Sequence, residues 1–262
     1  MSQKFRRPAS RPPRTRAPED DGPLRLYGVH AVEAALANPD RRILSLSATE
    51  NAENRLAPAI AARNITPTRV SPRDLDRILG PDTVHQGLML ETEPLPEPSF
   101  EEVRENAIQA GPLVILDQVT DPHNAGAILR SCAVFGASGV LATRRHSPPL
   151  NGTLAKAASG ALELVPVVLV QNLNRAMEEL KEQGFLLLGL DGEATNAIED
   201  EPFSGPVGIV LGAEGKGLRK LTAETCDRLV RISTAGPIAS LNVSNAAAVA
   251  LHTAALRRRG RA

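Results

Sequence analysis

The chain has 262 residues with 30 Lys and Arg against 30 Asp and Glu, which gives a formal net charge of zero, and 42% of its residues are hydrophobic. This length allows one large domain or two smaller ones with a buried core, and we expect no transmembrane helix or secretory signal peptide because no long apolar run is present. The two cysteines, Cys132 and Cys226, are too few for a disulfide framework or a structural zinc site, so we expect a cytoplasmic protein without a bound metal.

The charges are unevenly distributed along the chain. Residues 1–16 contain six basic and no acidic residues, and the last six residues contain four Arg and no acidic residue. Without these ten, the rest of the chain carries 20 basic against 30 acidic residues. Clustered Arg side chains suit a polyanionic partner such as RNA, although a merely solvated tail is an equally good interpretation. With aromatic residues at 2%, binding by extensive base stacking is not expected.

The N-terminal part of the chain predicts a tail, a small domain and a linker. Residues 1–22 are rich in Arg and Pro and are predicted to be disordered. Residues 23–92 alternate short strands with helices, which is typical of a small α/β domain. Residues 93–110 are predicted to be a linker because they begin with three prolines in five residues. The predicted elements of the small domain are helix 30–37, strand 43–47, helix 52–63, strand 68–70, a helix from Pro72 capped by Ser71, and strand 87–91.

Residues 111–262 predict a second α/β domain. Its strands are continuous apolar runs separated by helices, which indicates a mainly parallel sheet covered on both faces. An Ala-rich final helix, roughly 243–258, leads into the basic C-terminus. The predicted strands are 113–116, 139–142, 165–170, 185–190, 207–211 and 229–232.

The first segment with candidate chemistry follows the first strand of this domain. Asp121 and Pro122 are typical of a helix start, which places Asn124 in the first turn and Arg130 about 9 Å further along the helix axis. A long Arg side chain can reach back toward the carboxyl edge of the sheet, where α/β proteins bind ligands. Gly126 is disfavoured inside a helix by about 1 kcal/mol relative to Ala, which indicates a close neighbour. Alternatively, Asn124 caps the helix and Arg130 pairs with a surface acid.

The second segment is the glycine-rich run 211–217, LGAEGKG, directly after a buried strand. Neither the Walker A pattern nor the dinucleotide-binding GxGxxG pattern is present, which excludes those two phosphate-binding loops. The glycines allow the backbone to contact a ligand closely. Glu214 is either an acceptor for a ligand group or an ordinary exposed carboxylate.

The third segment, 236–245, connects a strand to the final helix. Ser240 and Asn242 lie immediately before the helix and are both common N-cap residues, so capping is as good an interpretation as ligand binding. The same helix N-terminus could hold a phosphate or a carboxylate.

In this order and spacing, the three segments resemble the three motifs of the SpoU/TrmH branch of the SPOUT RNA methyltransferases. The small domain resembles the members of this family that methylate guanosine 2′-OH groups in 23S rRNA, on the strings 27–32 (YGVHAV) and 85–87 (HQG). The three matching motifs are Asn124-x-Gly126-x-x-x-Arg130, Leu211-Gly212-x-Glu214-Gly215-x-Gly217 and Gly236-x-x-x-Ser240-Leu241-Asn242-Val243-Ser244.

The resemblance implies an α/β fold in which residues 23–92 form an RNA-binding domain similar to ribosomal protein L30e. It implies that residues 111–262 form a SPOUT methyltransferase domain with a C-terminal trefoil knot, which general folding rules alone would argue against. It further implies methyl transfer from S-adenosyl-L-methionine to a ribose 2′-OH of large-subunit ribosomal RNA, by a homodimer formed through the SPOUT domain.

The resemblance also assigns roles to individual residues. Because a guanidinium group stays protonated at neutral pH, we expect Arg130 to clamp a phosphate and the developing alkoxide rather than to act as a base. The alternatives are a tRNA 2′-O-methyltransferase, whose family branch usually lacks a separate small domain, and a non-catalytic RNA-binding or ribosome assembly protein. The implied catalytic residues are Asn124, Arg130, Glu214, Ser240 and Asn242, and the implied cofactor-binding residues are Leu211, Gly212, Ile232 and Leu241.

Overall fold

The computed structural model describes residues 23–236 and 240–259. The predicted disordered tail 1–22 lies outside the described residues, as do positions 260–262 of the basic C-terminus. The described chain folds around a four-stranded sheet followed by a seven-stranded sheet, and every strand pair of the larger sheet is parallel. The predicted α/β class with a mainly parallel sheet is therefore confirmed. No helix in the described ranges is long and apolar enough to cross a bilayer.

The smaller sheet is built from the N-terminal elements, whose bounds agree with the predicted ones to within two residues. These are β1 (Leu24–Tyr27), α1 (Val29–Ala37), β2 (Ile43–Ala48), α2 (Glu50–Ala62), β3 (Thr68–Arg69), α3 (Pro72–Leu79) and β4 (Leu88–Thr92). The strands lie in the order β1-β4-β2-β3, with β4 antiparallel to both β1 and β2. Ser71 caps α3 as predicted, because its Oγ accepts a hydrogen bond from the backbone N–H of Asp74 at 3.3 Å. Strand β1 has no predicted counterpart.

The region predicted as a linker contains a helix, α4 (Phe100–Gln109). Ser99 caps it by accepting a hydrogen bond from the backbone N–H of Glu102 at 3.1 Å, and the Glu102 carboxylate accepts one from the Ser99 N–H at 2.8 Å. Val103 and Ala107 are buried against the larger sheet. The prolines thus occupy only a short extended segment before the helix. The Ser-x-x-Glu capping pattern at residues 99–102 is the sequence feature that could have predicted this helix.

The larger sheet alternates strands with helices on both faces. Its elements are β5 (Leu113–Leu116), α5 (Pro122–Phe135), β6 (Gly139–Thr143), α6 (Gly152–Ala158), β7 (Val167–Val170), α7 (Leu173–Glu182), β8 (Leu186–Leu190), β9 (Asn196–Ala197), β10 (Val207–Leu211), α8 (Lys220–Thr225), β11 (Arg228–Arg231) and α9 (Val243–Arg259). The two-residue strand β9 has no predicted counterpart. The trefoil knot that the resemblance implies stays a prediction.

Strand order determines which loops meet. The strands lie in the order β7-β6-β5-β10-β8-β11-β9. Strand β10 therefore lies between β5 and β8, although it follows both of them in the sequence. Because all these strands run parallel, the loops that follow β5, β10, β8 and β11 emerge at the same carboxyl edge. This is the edge at which open α/β sheets bind ligands.

Helix α9 begins at its predicted residue and ends one residue beyond its predicted end, so it includes the first Arg residues of the basic C-terminus. Arg257 donates a hydrogen bond to the backbone carbonyl of Glu199, and Arg258 donates one to the carbonyl of Gln109 at 3.3 Å. These two Arg side chains therefore attach the end of α9 to the protein.

Gly126 marks a close approach of two helices, as its position inside α5 predicts. A Cβ atom at this position would lie 2.5 Å from the Cβ atom of Ala157 and 2.8 Å from the backbone nitrogen of Ala158. Since two of the atoms in the way belong to the backbone of the α6 segment, no side-chain rotation can relieve the overlap.

We expect Gly126→Ala to lower the free energy of unfolding by about 1–3 kcal/mol, because the overlap outweighs the higher helix propensity of Ala. Urea unfolding followed by circular dichroism measures this. Gly205→Ala is the matched control, since a Cβ atom there meets nothing within 4 Å and should leave the stability unchanged. An unchanged midpoint for Gly126→Ala would show that α5 and α6 can separate without cost.

Candidate active site

A cavity of about 330 Å³ lies at the carboxyl edge of the larger sheet. It is lined by residues from the segments 190–193, 211–217, 230–234 and 240–246, which lie at the carboxyl ends of β8, β10 and β11 and at the start of α9. All four residues predicted to bind a cofactor line this cavity, together with Ser240 and Glu214 of the predicted catalytic set. Asn124, Arg130 and Asn242 lie outside the lining.

The glycine-rich run forms a narrow turn at one wall of the cavity. Ala213 and Gly217 exchange backbone hydrogen bonds of 3.1 and 2.9 Å, and Gly215 and Gly217 adopt φ values of 75° and 66°. A Cβ atom at Gly212 would lie 2.1 Å from the carbonyl carbon of Gly217. Glycine is therefore required for the turn itself, which exposes Glu214 at its tip.

Asp117, which the sequence reasoning missed, ties this turn to the end of β5. Its side chain is completely buried, and its carboxylate accepts hydrogen bonds from the backbone N–H of Arg219 at 3.0 Å and from the Arg219 Nε at 2.6 Å. The Asp117 backbone N–H donates to the carbonyl of Leu211 at 2.8 Å. Both ends of the turn are thus held by one residue. The sequence feature that could have identified Asp117 is its position as an acidic residue directly after a fully buried strand.

A chain of hydrogen bonds joins the three sequence motifs. The Asn124 Nδ2 donates to Glu214 Oε2 at 2.9 Å, and the Asn242 Nδ2 donates to Asn124 Oδ1 at 3.0 Å. Asn242 also caps α9, since its Oδ1 accepts from the Ser244 N–H at 2.8 Å. The capping interpretation of Asn242 is thus confirmed, and ligand binding by Asn242 stays a prediction. Helix α5 is capped by Asp121 and not by Asn124.

Arg130 and Ser240 lie outside this chain of hydrogen bonds. Arg130 is exposed on α5, about 9 Å along the helix axis from Asn124, and it forms no ion pair with the residues that the structure describes. The alternative interpretation, in which Arg130 pairs with a surface carboxylate, is therefore not observed among the described residues. Its guanidinium group is consequently available to an anionic ligand.

Two carboxylates of the cavity were also missed by the sequence reasoning. Asp191 and Glu193 follow β8 and line the same cavity as Glu214 of the glycine turn. The available signal was Asp191-Gly192 at the end of a buried strand, which is weak because such pairs are common in ordinary turns. Three carboxylates and one guanidinium group, that of Arg231, line the cavity, and this excess of negative charge favours a ligand that carries positive charge.

The cysteines do not supply a nucleophile. Burial raises the pKa of both the Cys132 and the Cys226 thiol to about 12, so both are protonated at neutral pH. Among residues 23–236 and 240–259, no three His, Cys, Asp or Glu side chains are grouped so as to hold a metal ion. The chemistry available at this site is therefore that of hydrogen-bonding amides, carboxylates and two guanidinium groups, that of Arg231 in the cavity lining and that of Arg130 on α5.

Comparison with known proteins finds the same architecture. Residues 111–252 match the SpoU rRNA Methylase family, and residues 25–98 match the RNA 2′-O ribose methyltransferase substrate binding family. A 23S rRNA (guanosine-2′-O-)-methyltransferase from Pseudomonas putida is 39% identical over 89% of this chain and 96% of its own length, and one from Ralstonia nicotianae is 40% identical over 89% and 95%.

Two solved structures share the fold. The SpoU methyltransferase AviRb from Streptomyces viridochromogenes in complex with AdoMet has a TM-score of 0.75 at 22% identity and covers 91% of this chain and 92% of its own. An AdoMet-bound rRNA methyltransferase from Sinorhizobium meliloti has a TM-score of 0.73 at 24% identity and covers 90% and 87%.

We expect Asp117→Asn to loosen the glycine turn, because an amide offers one acceptor oxygen where the carboxylate offers two. Trypsin should then cleave after the exposed Lys216 several-fold faster than in the unchanged protein, as measured by mass spectrometry of the fragments. Cleavage after Arg175 on α7 reports global unfolding and should stay constant. An equal rate after Lys216 in both proteins would show that Asp117 does not hold the turn.

Proposed function

Because the chain belongs to the SpoU rRNA methylase family, we propose that it transfers a methyl group from S-adenosyl-L-methionine to the ribose 2′-OH of a guanosine in 23S rRNA. The observation that carries this proposal is the hydrogen-bonded chain from Glu214 through Asn124 to Asn242, which joins the three motifs beside the cavity. The relatives aligned over nearly their whole length support an rRNA substrate, and the match over 25–98 supports a separate RNA-binding region. Such a substrate implies action in the cytoplasm.

The lining of the cavity fits S-adenosyl-L-methionine. The carboxylates of Asp191, Glu193 and Glu214 suit its sulfonium and ammonium groups, and Leu241, which is 45% exposed, offers apolar surface to its adenine ring. When bound, the cofactor supplies a methyl group activated by a positively charged sulfur. The residues proposed to hold it are Leu211, Gly212, Ile232 and Leu241.

Arg130 is proposed to act on the RNA. The 2′-OH must lose its proton as it reacts, so negative charge develops on its oxygen, and a fixed guanidinium group stabilises that charge and the neighbouring phosphate. Asn124, Glu214 and Asn242 hold one another in place, and the Ser240 hydroxyl lies exposed on the cavity lining. These four side chains orient the ribose, and such positioning contributes much of the rate of an in-line displacement.

The exposed apolar surface beside Arg130 supports a homodimer formed through the larger domain. Val134 follows Arg130 by one helical turn on α5 and is 73% exposed, while Val249 and Leu256 on the adjacent α9 are 37% and 55% exposed. Residues at this spacing share one face of each helix. A second copy of the chain covering these side chains would also close over Arg130, so that each site is completed at the interface.

The function is tested by methyl transfer from labelled S-adenosyl-L-methionine to protein-free 23S rRNA and to bulk tRNA. We expect label in 23S rRNA at one linkage that resists alkaline hydrolysis. Arg130→Ala should lower the turnover number at least about a hundredfold, as the loss of one transition-state donor does, and Arg130→Lys should also be impaired because Lys lacks the planar fork. Arg175→Ala, an exposed Arg on α7, is the control that should retain activity.

The remaining outcomes each identify another substrate or another function. Label in tRNA alone would identify a tRNA 2′-O-methyltransferase. Binding of S-adenosyl-L-methionine without transfer to either RNA would identify an assembling ribosomal particle as the substrate. Absence of cofactor binding would overturn the enzymatic proposal and leave an RNA-binding or assembly protein.

The dimer proposal predicts that Val134→Glu combined with Leu256→Glu gives a monomer, because burying two carboxylates in an apolar interface is strongly unfavourable. Analytical ultracentrifugation measures the mass, and methyl transfer should fall together with dimer content. Leu221→Glu is the control, since Leu221 is 61% exposed on α8, away from these two helices. A fully active monomer would contradict a site completed by the second copy.

A further inference from the structure

The small and large domains are in direct backbone contact. A Cβ atom at Gly152 of α6 would lie 2.1 Å from the carbonyl oxygen of Arg25 in β1. One at Gly160 would lie 2.8 Å from the Cβ atom of Ala34 in α1. Glycine at both positions therefore lets the first strand and helix of the small domain pack tightly on α6 and the turn that follows it.

A buried ion pair crosses this interface between Arg41 of the small domain and Glu163 of the large domain. The two side chains are 1% and 2% exposed. The Arg41 Nη2 donates to Glu163 Oε1 at 2.6 Å and the Nε donates to Oε2 at 3.2 Å, so the pair is bidentate. Asn38 Nδ2 donates to the same Oε2 at 2.8 Å, and Arg41 Nη1 donates to the carbonyl of Glu93 at 3.0 Å.

This arrangement differs in kind from the other polar contacts between the domains. Tyr27 and Thr153 share a hydroxyl–hydroxyl bond of 3.1 Å, and the partly exposed Lys156 Nζ donates to Gln86 Oε1 at 2.5 Å. Contacts of that kind can be exchanged for water when the domains shift. A buried guanidinium–carboxylate pair cannot, because separating it leaves an uncompensated charge in an apolar interface.

We propose that the Arg41–Glu163 pair fixes the orientation of the RNA-binding domain on the methyltransferase domain and thereby determines which ribose of the RNA reaches the site. This inference rests on the proposed function. The physical reason is that apolar burial is non-directional, whereas the planar fork of Arg41 meets the Glu163 carboxylate in one geometry. Arg41 and Glu163 are positioning residues, since neither lines the cavity.

The orientation is measured directly by the distance distribution between two spin labels. Exposed positions on α2 and α7 serve as labelling sites, introduced as Asn54→Cys and Glu178→Cys in a Cys226→Ser chain. Cys132 is fully buried and stays unlabelled. We expect a single narrow distribution for the chain with its ion pair and a broad one for Glu163→Gln, which removes the charge at almost constant volume. A broad distribution in both would overturn the proposal.

Kinetics with 23S rRNA separate positioning from a general loss of structure. For Glu163→Gln we expect KM for the RNA to rise about tenfold, methyl groups to appear at additional riboses, and kcat and the affinity for S-adenosyl-L-methionine to stay unchanged. The control Glu224→Gln, which removes one partner of the exposed Lys220–Glu224 pair, should change none of these values. A parallel fall of kcat and cofactor affinity would overturn the proposal, because the pair would then act through the catalytic fold.

A second variant keeps the test decisive if Glu163→Gln unfolds. Replacement of both partners by apolar residues, Arg41→Met with Glu163→Leu, avoids a buried unpaired charge and should keep or raise the melting temperature. We expect this protein to remain folded and yet to show the broad distance distribution and the raised KM. A wild-type KM and site choice would overturn the proposal. If the unchanged protein methylates RNA neither free nor in an assembling ribosomal particle, the proposed function fails, whereas the distance distributions still decide the orientation.

Discussion

The position of β10 between β5 and β8 is the constraint on which the candidate site depends. It places the end of a strand formed late in the chain beside the end of an early one, and the hydrogen bond from the Asp117 N–H to the Leu211 carbonyl extends that pairing beyond the sheet. The glycine turn begins at this point. Its tip therefore lies within hydrogen-bonding distance of Asn124, although Glu214 and Asn124 are 90 positions apart in the sequence.

Small residues make a second contribution by allowing close packing of the helices. Gly126 brings α5 against the α6 segment, and Gly152 and Gly160 bring that segment and its following turn against the small domain. Since α5 begins with the first motif, the same stack of close contacts connects the candidate site to the small domain. Few aromatic side chains are needed for such a core, which agrees with their scarcity in the composition.

The sequence predicted the regular elements better than their arrangement. Continuous apolar runs indicate buried parallel strands, and β5 and β10 were predicted at their observed bounds. The hydrophobic pattern of the sequence gives no information on strand order, however. The contact between Asn124 and Glu214 could therefore not be deduced from it. Asp117 and Asp191 were missed because a single acidic residue at a strand end has many ordinary roles. The family resemblance, not residue spacing, assigned the site residues.

The neutral amide of Asn124 has a specific electrostatic consequence at this site. Glu214 receives its hydrogen bond from Asn124 rather than from a guanidinium group, and Arg130 on the same helix forms no ion pair within the described residues. Had Arg130 paired with Glu214, the positive charge that we propose to act on RNA phosphate and the negative charge that we propose to lie beside a cationic cofactor would largely neutralise each other. Because the Asn124 amide satisfies Glu214 without adding charge, the charges of Glu214 and Arg130 do not cancel, as the proposed function requires.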